Sequence, residues 1–372
     1  MKFVFWQNML SIHQTALLQA LSENHEVTLV IQTLFEQERH NSGWNIPQTE
    51  NIHVEVAPTD RRINELLQTS PEAIHIFSGI DAYPMVFRAF RQCIRYKRTI
   101  LIYAEPYQGD GLFGQLRRLK YFLLHLKYEQ YIHALLTTGQ FGVQAYLKAG
   151  WQKSKIFEWG YFTTQHTSDY HDLQSLPKKL PNILFVGRLD YNKRILQLVR
   201  QLKMLRSQIS VFSIVGTGPL TEEVQALIKD TENFLYLGKL TNANVQKTMQ
   251  KHDLLVLPSQ YDGWGAVVNE ALQQGMRVLC SDHCGASSLL DGIKRGGIFS
   301  WSKRNGFEKA LIYWINKGSL TQEERMDITE WSKTAISGFA ASQYMINIVH
   351  FIQGATSTRP IPPWSMKGEQ SC

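Results

Sequence analysis

The feature that most constrains this chain is a repeated alternation. Short apolar runs rich in Val, Ile, Leu and Phe recur along its length, separated by stretches of helical periodicity. Runs of this kind suit strands buried on both faces, and the intervening helices supply the crossovers that parallel strands require. In the first half the strand candidates are residues 2–6, 27–31, 53–56, 73–77, 99–104 and 134–137, with helices over 14–22, 83–95 and 114–131. A second series follows at 183–186, 210–215, 234–237, 254–257 and 277–280, with helices over 194–205, 220–229, 242–251 and 267–274. The pattern predicts an α/β chain of two Rossmann-like units in series. Its 372 residues are enough for two domains. Residues 167–182 are polar, hold Pro177 and Pro181 and lack a period, so they read as a linker. The expected organisation is a first unit over 1–166, that linker, and a second unit over 183–335. A helix over 336–355 then crosses back to the first unit, and 356–372 form a loose tail.

Several classes are excluded. No apolar run reaches the roughly 18–20 residues that span a bilayer, which argues against an integral membrane protein. The opening MKFVFWQNMLSIHQ has too short an apolar stretch for a signal peptide and reads as a first strand. Four cysteines in a chain this long are no disulfide framework, and point to a reducing cytoplasm. The charge is uneven. Between Met85 and Tyr128 there are nine basic residues (Arg88, Arg91, Arg95, Lys97, Arg98, Arg117, Arg118, Lys120 and Lys127) and two acids, Glu105 and Asp110. That stretch accounts for the whole net charge of +7. Beside Phe113, Tyr121, Phe122 and Tyr128, it fits nucleic acid, an anionic membrane surface, or a plain solvated face. The apolar run over 113–136, basic at its ends, reads as a buried helix or as an interfacial docking segment.

Ligands on parallel sheets bind outside the carboxyl ends of the strands, so the loops after strands carry the chemistry. In LFVGRLDYNKR (184–194) a strand ends at Gly187, and Arg188 and Lys193 precede a helix. Two cations beside a helix N-terminus suit a diphosphate, or else form surface salt bridges. In SIVGTGPL (213–220), Gly216 and Gly218 allow close backbone approach to a ligand, or only a tight connection. In LLVLPSQYDGWGAVVNEALQQGMRVLCSDHCGA (254–286), Asp262 precedes a helix that carries Glu270. Carboxylates accept hydrogen bonds from hydroxyls, so this pair suits a polyhydroxylated ligand. Gly263 and Gly265, on either side of Trp264, expose backbone N–H groups to a phosphate or a sugar. Cys280, His283 and Cys284 have metal-like spacing without a second block, so core packing is expected and no metal.

The blocks G-R-L-x3-K, V-G-x-G and P-S-x2-D-G-W-G-x4-E-A-x3-G, in that order over 183–286, resemble retaining GT-B glycosyltransferases of the GT4 family, the glycosyl transferases group 1, of the bacterial surface-polysaccharide type. The resemblance implies two Rossmann-like domains facing each other across a cleft. The first would bind the acceptor and the second a nucleotide-sugar donor. Carried over residue by residue, Arg188 and Lys193 bind the donor diphosphate and stabilise the leaving nucleotide. Glu270 holds the ribose hydroxyls. Asp262 stands where the family has a glutamate contacting the donor sugar, and is one methylene shorter. Gly187, Gly216, Gly218, Gly263, Trp264 and Gly265 line the donor, and Leu240 lies where the base packs.

The first unit matches less closely. No Gly-Gly loop follows the first strand. Instead QNMLSIHQ (7–14) offers His13, with Ser11 and Gln14, to a phosphate or acceptor, unless Ser11 only caps a helix. Glu105 stands where an acceptor-side polar residue, often histidine, follows a strand. It reads as an acceptor contact or base, or as a cap or salt bridge, and Tyr107 is a further acceptor-side candidate. Trp151, Trp159 and Tyr161 form a hinge or an acceptor wall. The implied reaction moves a sugar, with retention, from a nucleoside-diphosphate sugar (a UDP-sugar is favoured) to a saccharide or lipid-linked hydroxyl acceptor. O-antigen, capsule or another surface polysaccharide is the product, made in the cytoplasm or on the inner face of the membrane. No metal or cofactor is required, because the two cations do the metal's work. Two alternatives stand beside it. One is a nucleotide-sugar epimerase of the same fold. The other is a basic nucleic-acid-binding protein, disfavoured because no recognisable nucleic-acid module is present. A dinucleotide-dependent dehydrogenase lacks its G-x-G-x-x-G after the first strand.

Overall fold

The alternating pattern is realised as two parallel sheets, one in each unit. The computed structural model describes residues 1–34, 51–109, 111–164 and 180–365. The units are Met1–Thr164 with Ile336–Cys372, and Gln165–Ala335. Of the expected linker, 167–179 lie outside the described residues, as do 366–372 of the tail and Asp110 of the basic stretch.

The first unit runs β1 (Lys2–Gln7), α1 (Ile12–Ser22), β2 (Glu26–Ile31), β3 (His53–Val56), α2 (Asp60–Thr69) and β4 (Ile74–Ser78). It continues with α3 (Pro84–Arg95), β5 (Thr99–Ala104), α4 (Gly111–Tyr128), β6 (Ala134–Thr138), α5 (Gly139–Lys148) and β7 (Ile156–Trp159). The strand order is β3-β2-β1-β4-β5-β6-β7. Every pairing is parallel, with Phe3 opposite Val27 on one side and Ile74 on the other. The order reverses between β1 and β4, the switch point where open α/β sheets bind ligands. Alternate side chains bury both faces. Val4 and Trp6 join Phe77, Ile100 and Leu135 against Ile63 of α2, Val86 and Phe90 of α3 and Tyr146 of α5.

The second unit runs β8 (Asn182–Val186), α6 (Ile195–Met204), β9 (Val211–Val215), α7 (Thr221–Ile228), β10 (Phe234–Gly238) and α8 (Asn242–Gln250). It continues with β11 (Leu254–Leu257), α9 (Val267–Gln273), β12 (Arg277–Ser281), β13 (Gly296–Phe299), α10 (Gly306–Asn316) and α11 (Gln322–Ala335). Its order is β10-β9-β8-β11-β12-β13, again parallel, with the switch between β8 and β11. Buried Asp253 fastens this sheet to the helix behind it. Its carboxylate accepts from the backbone N–H of Asn182 (2.7 Å) and of Leu320 (3.0 Å) and pairs with Arg325 of α11 (2.8 Å).

The chain then returns to the first unit as α12 (Gly338–Ile352), which packs along α1. Gly338 sits so close to α1 that a Cβ would lie 2.2 Å from the Ala16 carbonyl oxygen. The Tyr344 hydroxyl donates to the Glu158 carbonyl oxygen at 3.1 Å. By length and composition one stretch, Gln322–Ile352, is apolar enough to cross a bilayer, contrary to the sequence expectation. It is two helices, α11 and α12, and their apolar residues serve the core: Ile328, Tyr344, Met345 and Ile348 are all buried.

Candidate active site

At the carboxyl ends of β8, β9, β11 and β12 the loops are packed backbone against backbone. Gly216 has φ +128°, and a Cβ there would lie 1.9 Å from the Gly187 carbonyl oxygen. A Cβ on Gly218 would lie 2.4 Å from the Leu189 carbonyl oxygen. Beyond the switch point, a Cβ on Gly265 (φ +90°) would lie 2.8 Å from Cys284 Sγ, and one on Gly285 would lie 2.3 Å from the Gly263 carbonyl oxygen. Only glycine allows these approaches. Two hydrogen bonds tie the β8 loop to the β11 loop: Gln260 N–H to the Asn192 carbonyl (2.7 Å) and Asn192 Nδ2 to the Tyr261 carbonyl (2.9 Å).

This frame holds opposite charges. Lys193 Nζ lies 2.6 Å from Asp262 Oδ2, and both side chains are largely buried. The Asp190 carboxylate accepts from Lys193 N–H at 2.9 Å and shapes the turn. Arg188 stays 70% exposed, 3.7 Å from Asp190. Half-buried Glu270 lies in the first turn of α9. Burial pushes its carboxyl up to about 7, while a hydrogen bond from Asn242 Nδ2 (3.5 Å) pulls the other way. A carboxyl at that value both accepts and donates hydrogen bonds near neutral pH, which suits a diol. Leu240 is half-buried just past β10.

A cavity of about 380 Å³ opens in the first unit at the ends of β1, β4 and β5, beside that sheet's switch point. Its walls include Gln7, His13, Ser78, Asp81, Glu105 and Tyr161. The His13 ring stacks on Tyr161 at 5.0 Å, and the Tyr161 hydroxyl donates to Glu105 Oε1. The Tyr146 hydroxyl donates to the Glu105 carbonyl oxygen at 3.0 Å, so Glu105 is anchored by its backbone while its carboxylate stays exposed. Beneath it, burial raises the Tyr103 phenol well above its ordinary value, and nearby Tyr161 and Glu105 add to the shift.

Residues 168–334 match the family glycosyl transferases group 1. Over 159 residues the chain is 28% identical to an uncharacterized glycosyltransferase of Methanocaldococcus jannaschii, covering 40% of each chain. Over 129 residues it is 33% identical to the N-acetylgalactosamine-N,N'-diacetylbacillosaminyl-diphospho-undecaprenol 4-alpha-N-acetylgalactosaminyltransferase of Campylobacter jejuni, 34% of each chain. The chain therefore spans 34–40% of the length of these curated relatives. The solved structure of HepE from Anabaena, in complex with UDP, is similar with a TM-score of 0.68. That likeness covers 94% of this chain and 99% of HepE at 13% identity. The fold is GT-B.

Within this GT-B chain the predicted residues divide clearly. Gly187, Gly216, Gly218, Gly263 and Gly265 meet in the interlocked loops, and Lys193 and Asp262 meet directly. Arg188 borders them in the β8 loop, and Glu270 bonds to Asn242. Trp264 is a correction. Its indole is buried and donates to Asn269 Oδ1 at 2.7 Å, so it packs the core under the loop rather than lining a ligand. Tyr107 is another. It is buried, stacked at 4.8 Å behind Tyr121 of the cavity wall and bonded to the Ala145 carbonyl at 2.9 Å, and does not itself line the cavity. Ser11 accepts from His13 N–H at 3.3 Å and so caps α1. Trp159 is core, whereas Tyr161 faces the cavity. Cys280 and Cys284 are buried, and the Cys284 thiol donates to the Trp264 carbonyl at 3.0 Å. Sequence reasoning missed Asn192, Asn242 and Trp301. Trp301 stacks under the Arg194 guanidinium at 4.2 Å and donates to the Pro258 carbonyl at 3.2 Å. Their only signal was a polar or aromatic residue in a loop or, for Asn242, at the start of a helix, which is common.

Proposed function

We propose that this chain is a retaining glycosyltransferase of the GT4 type. It moves a sugar from a nucleoside-diphosphate sugar, a UDP-sugar, to a hydroxyl of a lipid-linked saccharide in bacterial surface-polysaccharide assembly. The observation that carries the reading is the Lys193–Asp262 pair, set in glycine-locked loops inside the region that matches glycosyl transferases group 1. Lys193, already held in place, and exposed Arg188 take the two phosphates. Both strengthen as the glycosidic bond breaks and charge collects on the departing diphosphate. Asp262 turns to the sugar hydroxyls, and Glu270 holds the ribose diol.

The bond from the sugar carbon to the diphosphate oxygen breaks, and a bond to the acceptor oxygen forms on the same face. The acceptor proton passes to the departing diphosphate, so no covalent sugar intermediate is needed. Glu105, oriented by Tyr161, receives the acceptor in the first-unit cavity together with His13. Two comparisons support the finer points. The Campylobacter relative is named for a diphospho-undecaprenol-linked acceptor, and HepE was solved with UDP. We infer that the reaction takes place in the cytoplasm or on the inner face of the membrane.

The test is a thermal-shift panel of UDP-, GDP-, ADP- and TDP-sugars, followed by transfer to a polyprenyl-diphosphate saccharide read by mass spectrometry and by the anomeric coupling of the product. A UDP-sugar should raise the melting temperature, because it binds only the native state, and the product should keep the donor's anomeric configuration. An inverted product overturns retention. Conversion of the donor sugar without acceptor or nucleotide release identifies an epimerase instead.

A further inference from the structure

Helix α4 carries a surface that the transfer chemistry does not use. Of its 18 residues, only Gly114 and Tyr128 are buried. It rests on the unit along one side, marked by three residues seven apart, with Leu124 and His125 half-buried beside them. Gly114 abuts Gly109, where a Cβ would come within 2.1 Å, Tyr121 stacks on Tyr107, and Tyr128 packs against Phe87 and Phe90. Leu112, Leu116, Leu119, Leu123 and Leu126 are all more than half exposed. Their spacing of four, three, four and three residues places them in one stripe, on the side of the helix opposite the seated line. Exposed Phe113 and Phe122 widen it. A continuous apolar stripe of this kind in water marks a contact surface.

The charge on the helix decides what covers the stripe. α4 contains Arg117, Arg118, Lys120 and Lys127 and no acid. Lys120 holds an exposed pair with Asp81 at 3.0 Å, and Arg117 donates to the Gln108 carbonyl at 3.2 Å. The leucine spacing alone would equally suit a helix from a second copy. Two such helices, however, would bring four cations each together with no acid of their own, the neighbouring Asp81 being engaged by Lys120. We propose that α4 lies on an anionic lipid bilayer, its leucine stripe at the level of the acyl chains and its cations among the headgroups. The inference does not depend on the transferase reading, since it concerns neither loop cluster.

Sedimentation of the whole protein with vesicles tests it, using phosphatidylcholine alone and phosphatidylcholine with phosphatidylglycerol. The protein should pellet with the anionic vesicles and much less with the neutral ones, and added salt should weaken the binding. L119E/L123E should lower the vesicle partition by more than about tenfold. Its melting temperature should stay unchanged, because both positions face solvent. R118Q/K127Q should weaken binding to anionic vesicles only. Undiminished binding by L119E/L123E would overturn the proposal, and so would a wild-type protein that ignores anionic vesicles. A wild-type dimer in vesicle-free solution that L119E/L123E converts to monomer would assign the stripe to a second copy instead.

Discussion

In the second unit the ligand-side loops are held by backbone against backbone, Gly216 on Gly187 and Gly285 on Gly263, with Lys193 and Asp262 paired inside. In the first unit the cavity at the equivalent sheet position is made by side chains. His13 stacks on Tyr161, Tyr161 bonds to Glu105, and Tyr146 holds the Glu105 carbonyl. Backbone packed on backbone demands glycine at fixed intervals, so that site writes a spaced motif into the sequence. A site walled by side chains draws on β1, β5 and the segment after β7, and leaves no spacing to find. The first kind of site suits a ligand part that is always the same, such as a diphosphate. The second suits one that varies, such as an acceptor.

The largest expected effect falls on the ion pair. Lys193→Ala should lower kcat/KM for transfer by roughly 10²–10³-fold, the loss of about 3–4 kcal/mol of charge stabilisation at the leaving group. Initial rates measure it, and an equal loss in His13→Ala would erase the difference between the two sites. Next comes the backbone contrast. Gly216→Ala forces a Cβ against the Gly187 carbonyl at φ +128° and should destabilise the protein by about 2–4 kcal/mol. Ser78→Ala, in the cavity wall of the first unit, should cost under about 1 kcal/mol. Thermal unfolding of both variants tells whether only one site depends on backbone shape. Glu105→Gln should depress turnover about tenfold, one charge-assisted hydrogen bond, while leaving donor affinity unchanged. A matching fall in donor affinity would mean that the two functions are not divided between the units.

The smallest effect is a pH dependence. Burial raises the folded-state Glu270 carboxyl from its ordinary value to about 7, so the native protein binds more protons than the unfolded chain between those values. Stability conferred by the protonated carboxyl is full at low pH and declines as pH rises toward 7. Glu270→Gln has no such proton to lose. Its melting temperature should therefore fall less than the wild type's between about pH 5 and pH 8. Parallel curves would show that Glu270 is well solvated.

Much of the fold was legible because strand and helix periods differ: β3, β5 and β11 lie where apolar runs predict them. β13 (Gly296–Phe299) was not among the predicted strands, since two of its four residues are glycines and leave little apolar run to find. In the sheet they are glycines for lack of room, Gly296 against the Val278 carbonyl and Gly297 against the Trp314 indole. α2, DRRINELLQT, hid its two buried residues, Ile63 and Leu67, among charges. In the site, spacing singled out the glycines and the charged residues Lys193 and Asp262, but it paired Lys193 with Arg188 and Asp262 with Glu270 and did not foresee the ion pair that Lys193 and Asp262 form with each other. Trp264 and Tyr107 were misread because an aromatic beside a glycine or proline gives no sign of the direction in which tertiary packing turns its ring. The run over 113–136 carried both readings, buried or docking. Leu116, Leu119, Leu123 and Leu126 are exposed because Gly114, Tyr121, Leu124 and Tyr128 seat the helix along its other side, whereas Leu135 and Leu136 are buried in β6.

The central claim is that a nucleoside-diphosphate sugar is gripped by the loops of the second unit. Hydrogen exchange of the whole protein, with and without UDP-sugar and read by mass spectrometry, tests it most directly. The account predicts slowed exchange in residues 187–193, 216–220 and 262–270, and loss of that protection in Lys193→Ala. Protection by no nucleotide sugar, or protection confined to the segments around His13 and Glu105, would contradict it.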